Sequence, residues 1–496
     1  MLKNMPSKSE NLHIPQFEIN EVGVVRDIRR GIALISGLPS CIYGQLVRFG
    51  DGTRGIVMGF NPKEAMVIIL GSEVSISVGD TVVSLSGLLN VPVGEGFIGR
   101  IVNALAEPVD GKGEIIPADS YPVFRQAPGV MEREPVVEPL LTGIKIIDLV
   151  IPIGRGQREL IIGDRQTGKS TIGVDTIINQ SGGDVTCIYC WIGGPQSALK
   201  KILNTLYQKN CFKHTIVVTA SADTSAAEQY LAPYTAAALG EYFMYNGRHV
   251  MVVFDDLTKH AWIYRQMSLL LERPPGREAY PGDIFYLHSQ LLERAGKLKS
   301  SRGSGSMTFF PIAETLQGDI TGYIQTNIIS ITDGQLYISS SLFHEGFKPA
   351  IDFGLSVSRI GSRVQSPAIK ELGVGLRLEY TQYREMLRMT KLRTRLSNEA
   401  LDKIRRGGVL SEILVQPANH PVCAEEEIAL FYAFRRKVLE TLEPVQLELF
   451  INGFFIYLKE YDSQLVDLIA QDKSLTEQVR TGLDKAFVNF FRRGQI

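Results

Sequence analysis

Residues Gly163, Asp164, Arg165, Gln166, Thr167, Gly168, Lys169 and Ser170 spell G-x-x-x-x-G-K-[ST], between an apolar run at 159–162 and a stretch of helical character. That context restricts the local fold to strand, glycine loop and helix. The glycines let backbone amides wrap around phosphate oxygens, the helix start attracts anions, Lys169 can reach the terminal phosphates, and the Ser170 hydroxyl suits magnesium. A glycine turn followed by lysine also occurs in ordinary loops; the strand before it and the helix after it favour phosphate binding. A second signal agrees. The unbroken apolar run at 250–254 ends in Asp255 and Asp256, the pattern of a buried strand presenting a carboxylate at its carboxyl tip, where a magnesium ligand belongs.

A chain of 496 residues exceeds what one core supports and suggests about three domains. A formal charge of −1 gives no general attraction to nucleic acid or anionic membrane surfaces. Five scattered cysteines, Cys41, Cys187, Cys190, Cys211 and Cys423, suggest free thiols in a reducing compartment. Cys187 and Cys190 form C-x-x-C inside the strand-like run 185–191 with no second pair to complete a zinc site, so no bound transition metal is expected. No apolar run approaches the roughly 20 residues needed to span a bilayer, and no signal-peptide core is visible at the N-terminus. Any membrane association is expected to run through partner subunits.

Short apolar runs at 23–25, 31–35, 55–58, 66–70 and 81–83, separated by glycine turns, predict a small β-barrel or sandwich over 18–88. Alternating strand and helix patterns over 89–365 predict an α/β nucleotide-binding domain with a mostly parallel sheet. Over 366–496 glycine thins out, and stretches such as 376–406 and 424–442 show helical spacing, predicting a helical bundle. Residues 1–17, proline-broken and aperiodic, read as a flexible arm.

Barrel, nucleotide domain and bundle in that order, with PIGRGQRELIIGDRQTGK at 152–169, YRQMSLLL at 264–271, RPPGREAYPGD at 273–283, ISITDGQ at 329–335 and GLSVSRIGS at 354–362, resemble the alpha subunits of F-type rotary ATP synthases. The resemblance implies a multidomain protein with an N-terminal β-barrel, a central α/β domain of the RecA-like P-loop NTPase type and a C-terminal α-helical bundle. It implies a place beside beta subunits in an alternating ring of six around a central rotor stalk. The soluble face of a bacterial plasma, thylakoid or inner organellar membrane is the implied location. ATP or ADP with Mg2+ would be the cofactors.

The same resemblance assigns Gly163 through Ser170, with Thr171, to the phosphates and their surroundings. It assigns Ser170 and Asp255 to magnesium, and Lys348 and Gln416 to the base pocket. Lys348 replaces the family's arginine and lacks its planar fork; a second family glutamine falls on Ala418. Arg359 would be an arginine finger inserted into the neighbouring beta site, with Ser330 near the same interface. An isolated arginine would more simply be a surface ion-pair partner; the matching string around Arg359 favours the finger.

Hydrolysis needs a carboxylate to orient and activate water. Where catalytic relatives carry that glutamate this sequence aligns Gly194, in the acid-free stretch 191–196, and the amide of Gln196 cannot act as a base. The protein's own site is therefore expected to bind without hydrolysing. Residues 1–17 lack the amphipathic periodicity of a stalk-docking helix, leaving peripheral-stalk attachment open. Arg384, Arg388, Lys391, Arg393 and Arg395 stand where an acidic turn is usual; a solvated basic face is the simpler reading, a different rotor or regulatory partner the other. The alternatives are an alpha-like paralogue in a sodium-type or stator-altered rotary ATPase, a self-contained hexameric catalytic ATPase, and a ring-shaped RNA translocase. The second lacks its acid near Gly194 and the third its basic barrel, so no nucleic-acid partner is expected.

Overall fold

A computed structural model of the protein describes residues 20–29, 31–71, 75–391 and 398–492. Two compact units divide between Leu89 and Asn90. The first is a closed antiparallel barrel in which Val22–Arg29 is followed around the ring by Ile32–Ser36, Glu64–Leu70, Arg54–Phe60, Gln45–Phe49 and Thr81–Leu88, which pairs back to the first strand. Closure leaves no unpaired strand edge. Alternate side chains, among them Val25, Ile35, Val47, Phe49, Val57, Val67 and Val82, fill the interior. The strand Gln45–Phe49 has no counterpart among the apolar runs, because only Val47 and Phe49 point inward while Arg48 is exposed.

In the second unit a twisted sheet runs, in spatial order, Gly334–Ile338, Glu159–Gly163, Ser306–Glu314, His249–Asp255, Val185–Ile192, Thr215–Ala220 and Ile101–Val102, all parallel. The short strand Val357–Ser358 pairs antiparallel with Gly334–Ile338 at one edge. Helices cover the faces of a parallel sheet, so its strands bury both sides and read as continuous apolar runs. All eight residues of Val185–Ile192 are buried, Cys187 and Cys190 among them as free thiols, and burial drives the Cys187 thiol far above its ordinary range.

The helices Pro367–Gly373, Leu376–Lys391, Asn398–Leu414, Ala424–Arg435, Pro444–Tyr461, Ser463–Asp472 and Glu477–Arg492 form the C-terminal part. Phe450 stacks on Phe454 at 4.7 Å, and Phe490 meets Phe454 edge-on at 5.4 Å. One hydrophobic core runs from the sheet-covering Ile146 and Leu149 into Ile369, Ile413, Ile428 and Phe454. Within the glycine-free stretch 376–406 the described residues are helical over Leu376–Lys391 and from Asn398 onward, and the helix Asn398–Leu414 continues through Gly407 and Gly408. Gly407 there is a contact surface: a Cβ added to it would lie 2.5 Å from Tyr383 Cδ2. Of the basic run, Arg384 pairs with Glu345 at 2.6 Å and Arg388 is exposed; Lys391 is the last described residue of its helix, and Arg393 and Arg395 lie outside the described residues, as does the arm 1–17.

Candidate functional site

Open parallel sheets bind ligands beyond the carboxyl ends of their strands, and four strand ends converge here. Glu159–Gly163 leads into the glycine loop, which enters the helix Lys169–Asn179 through Gly168 at φ +95°. Gly163 itself permits a close crossing: a Cβ there would stand 2.5 Å from the Ile338 carbonyl oxygen. Asp255 and Glu314 end the next two strands, and Trp191 lies at the end of a fourth. Between these elements and the backbone around Lys348 and Gln416 lies a cavity of about 770 Å³, within the range that holds a nucleotide-sized ligand.

Arg165, Gln166, Thr167, Gly168, Lys169, Ser170 and Thr171 all line it, as do Asp255, Lys348 and Gln416. The Lys169 ammonium, buried, donates to the carbonyls of Gly163 at 2.9 Å and Asp164 at 2.5 Å. Its desolvation lowers its pKa against the pull of Glu314, Asp256 and Asp255. The Ser170 hydroxyl donates to Asp255 Oδ2 at 2.6 Å, and the buried Tyr189 hydroxyl donates to the same oxygen at 2.5 Å. A hydroxyl and a carboxylate at this separation are the hard oxygen donors that magnesium prefers. The residues present therefore fit a Mg-nucleotide.

Gly163 and Asp164 stand behind the loop and are not in the cavity wall. Asp164 accepts from Thr315 Oγ1 at 2.6 Å, Gly318 N at 2.8 Å and Ser340 Oγ at 2.6 Å. Burial pushes its pKa up, but those three donors outweigh it and hold the carboxyl below its usual range. Its side chain braces the loop from behind.

The acids that the local sequence around Gly194 lacks are supplied to the wall by other strands. Glu314 is held by Arg165 Nε at 2.8 Å. Asp256 accepts from Lys259 Nζ at 2.6 Å and caps the helix Leu257–Leu270 through the Lys259 amide at 2.7 Å. Burial raises Asp256 to about 6 despite Lys259. Glu314 follows the same rule that exposes Asp255, an apolar strand ending in a carboxylate, and that signal was present at 306–314. The cavity's other end is apolar: Phe343, Pro349, Pro417 and Ala418 line it. There Lys348 Nζ rests 4.7 Å from the Phe343 ring centre. Gln416 spends its side chain on backbone, donating to Gly143 O at 2.7 Å and His420 O at 2.8 Å.

Arg359 and Ser330 are both exposed and stand apart from this cavity. Arg359 follows the edge strand, where Ser358 pairs with Gly334 and Arg359 N donates to Asp333 O at 2.9 Å. Glu159 also pairs with Gly334, so Arg359 lies at the amino end of the sheet. The loop begins at its carboxyl end, four strand steps or about 13 Å further on. Ser330 closes the helix Tyr323–Ile331 on that same edge, its hydroxyl donating to Asn327 O at 2.7 Å. Behind Arg359 the buried Glu159 carboxyl is pushed well above its ordinary range by burial, with Gln157 and Arg359 pulling the other way.

Among the described residues no helix is long and apolar enough to cross a membrane. Family models match three successive stretches: the β-barrel domain of the ATP synthase alpha/beta family over 18–86, its nucleotide-binding domain over 143–358, and its C-terminal domain over 365–490. Barrel, phosphate-loop α/β domain and helical region occur in that order in both sequence and structure, and the protein belongs to the ATP synthase alpha/beta family.

Proposed function

We propose that this protein is the alpha-type subunit of a rotary ATPase, binding Mg-ATP at a site that does not hydrolyse it and lending Arg359 to a catalytic site on a neighbouring beta-type subunit. The observation that carries this reading is the distribution of acids in the cavity. Gly194 offers no side chain, Glu314 is paired with Arg165, Asp256 with Lys259, Asp255 with Ser170 and Tyr189, and Asp175 with the Asn419 amide. Among the described residues of the wall, every carboxylate is already engaged by a donor, and none stands at position 194.

In this reading the loop amides and Lys169 hold the phosphates and Arg165 screens their charge. Ser170 and Asp255 would hold magnesium, which when bound would offset the charge of the phosphates. Phe343, Lys348 and Gln416 frame the base. Arg359, at the opposite end of the sheet from this subunit's own loop, is better placed to serve another subunit. There a guanidinium would neutralise charge on the transferring phosphoryl group. Alternation with beta-type subunits in a ring of six, coupling through a central rotor to ion transport, and attachment to an energy-transducing membrane through partner subunits complete the proposal.

The test is to purify the full-length protein alone and measure Mg-ATP binding by equilibrium dialysis alongside phosphate release. Binding without turnover is expected. Sustained hydrolysis by the isolated protein would overturn the reading.

A further inference from the structure

Both tryptophans of the protein stand beside the phosphate loop. Trp262 lies under Arg165, whose guanidinium carbon is 5.8 Å from its ring centre. Trp191, only 5% exposed, lies in the cavity wall and pairs in register with Asp255. Its ring is 5.9 Å from Lys259 Nζ, and its indole Nε1 donates to the Gly194 carbonyl at 3.2 Å. The indole is thus at the phosphate end, among the charged groups that surround the loop. Gly193 needs its glycine for a φ of +61°, but Gly194 has no left-handed backbone to accommodate. What forbids a side chain at 194 is the indole: an added Cβ would lie 2.6 Å from Trp191 Cε2 and 2.9 Å from Cη2.

We infer that Trp191 is a steric block to hydrolysis, filling the space beside the terminal phosphate in which a water-activating carboxylate would have to stand. The inference rests on the non-hydrolytic reading of this site and gives it a packing cause. An indole carries a donor and no acceptor, and here the donor is already satisfied. Trp191 therefore excludes a base without replacing it. Restoring an acid at 194 would first require removing the ring.

The full-length Trp262→Phe variant leaves Trp191 as the sole tryptophan emitter. With saturation established independently by dialysis, Mg-ATP should shift its emission more than Mg-ADP does, because only the triphosphate reaches the ring. Equal shifts at equal occupancy would overturn the inference. Gly194→Ala should lower Tm by several degrees in the parent, and the loss should disappear when Trp191→Gly is also present; an equal loss in both backgrounds would overturn it. The double variant Trp191→Gly with Gly194→Glu should fold and bind Mg-ATP, whereas Gly194→Glu alone should lose binding or fail to fold. Gly194→Glu that folds and binds like the parent would contradict the block. Hydrolysis by the parent protein would instead sink the non-hydrolytic reading, leaving the coupling between 191 and 194 to be judged by the melting data.

Discussion

The Ser170 hydroxyl, one residue into the helix that follows the phosphate loop, donates a 2.6 Å hydrogen bond to Asp255 Oδ2 at the tip of a strand two positions away in the sheet. Residues 85 apart in sequence thus bring two hard oxygen donors to one point. Ser170→Ala removes one of them while leaving Lys169 and the loop amides intact. Affinity for Mg-ATP should fall about tenfold, or about 1.4 kcal/mol. Binding measured with excess chelator should barely change. Isothermal titration with and without magnesium checks the difference.

Arg294 and Glu241 form a buried bidentate pair, Nε to Oε1 at 2.7 Å and Nη2 to Oε2 at 2.9 Å, both side chains at most 1% exposed. Removing one partner strands a charge in the core, which typically costs about 3 to 5 kcal/mol. Glu241→Ala should lower the denaturation midpoint markedly, while an apolar replacement of both residues should recover much of the loss. Chemical denaturation of the three proteins measures it.

Asp175 lines the cavity from the helix Lys169–Asn179, accepts from Asn419 N at 2.7 Å, and is raised by burial to about 6. A carboxyl whose folded pKa lies above its unfolded value favours the fold at low pH, and that contribution is lost as pH rises from about 4 to about 6. The ionised group is then a liability at neutral pH, while an asparagine can still accept from Asn419. Asp175→Asn should stabilise the nucleotide-free protein by about 2 kcal/mol at pH 8 and by almost nothing at pH 4. Denaturation at the two pH values decides it.

Much of this fold is legible in sequence because it rests on short-range rules. The run at 159–162, the glycine loop, the helix behind it and the strand tip at Asp255 each carry their own signal. The barrel strand Gln45–Phe49 does not, since alternation over five residues with Gln45 and Arg48 inside it leaves no apolar block. The pair Gly407 and Gly408 looks like a helix stop, yet the contact with Tyr383 makes Gly407 part of a helix interior. Within the site, the pairing of Glu314 with Arg165, and the register of Trp191 with Asp255, depend on strand order in the sheet. Spacing in sequence does not supply that order. The recruitment of Asp164 to brace the loop from behind depends on Thr315 and Ser340, more than 150 residues downstream.

The central claim is that this subunit keeps its own nucleotide intact and assists chemistry on a neighbour through Arg359. Steady-state hydrolysis by the assembled ring carrying Arg359→Ala tests it most directly, with nucleotide occupancy measured in parallel. The predicted result is a loss of about three to five orders of magnitude in turnover with binding preserved. An assembled ring that turns over at the parent rate without Arg359 would contradict it.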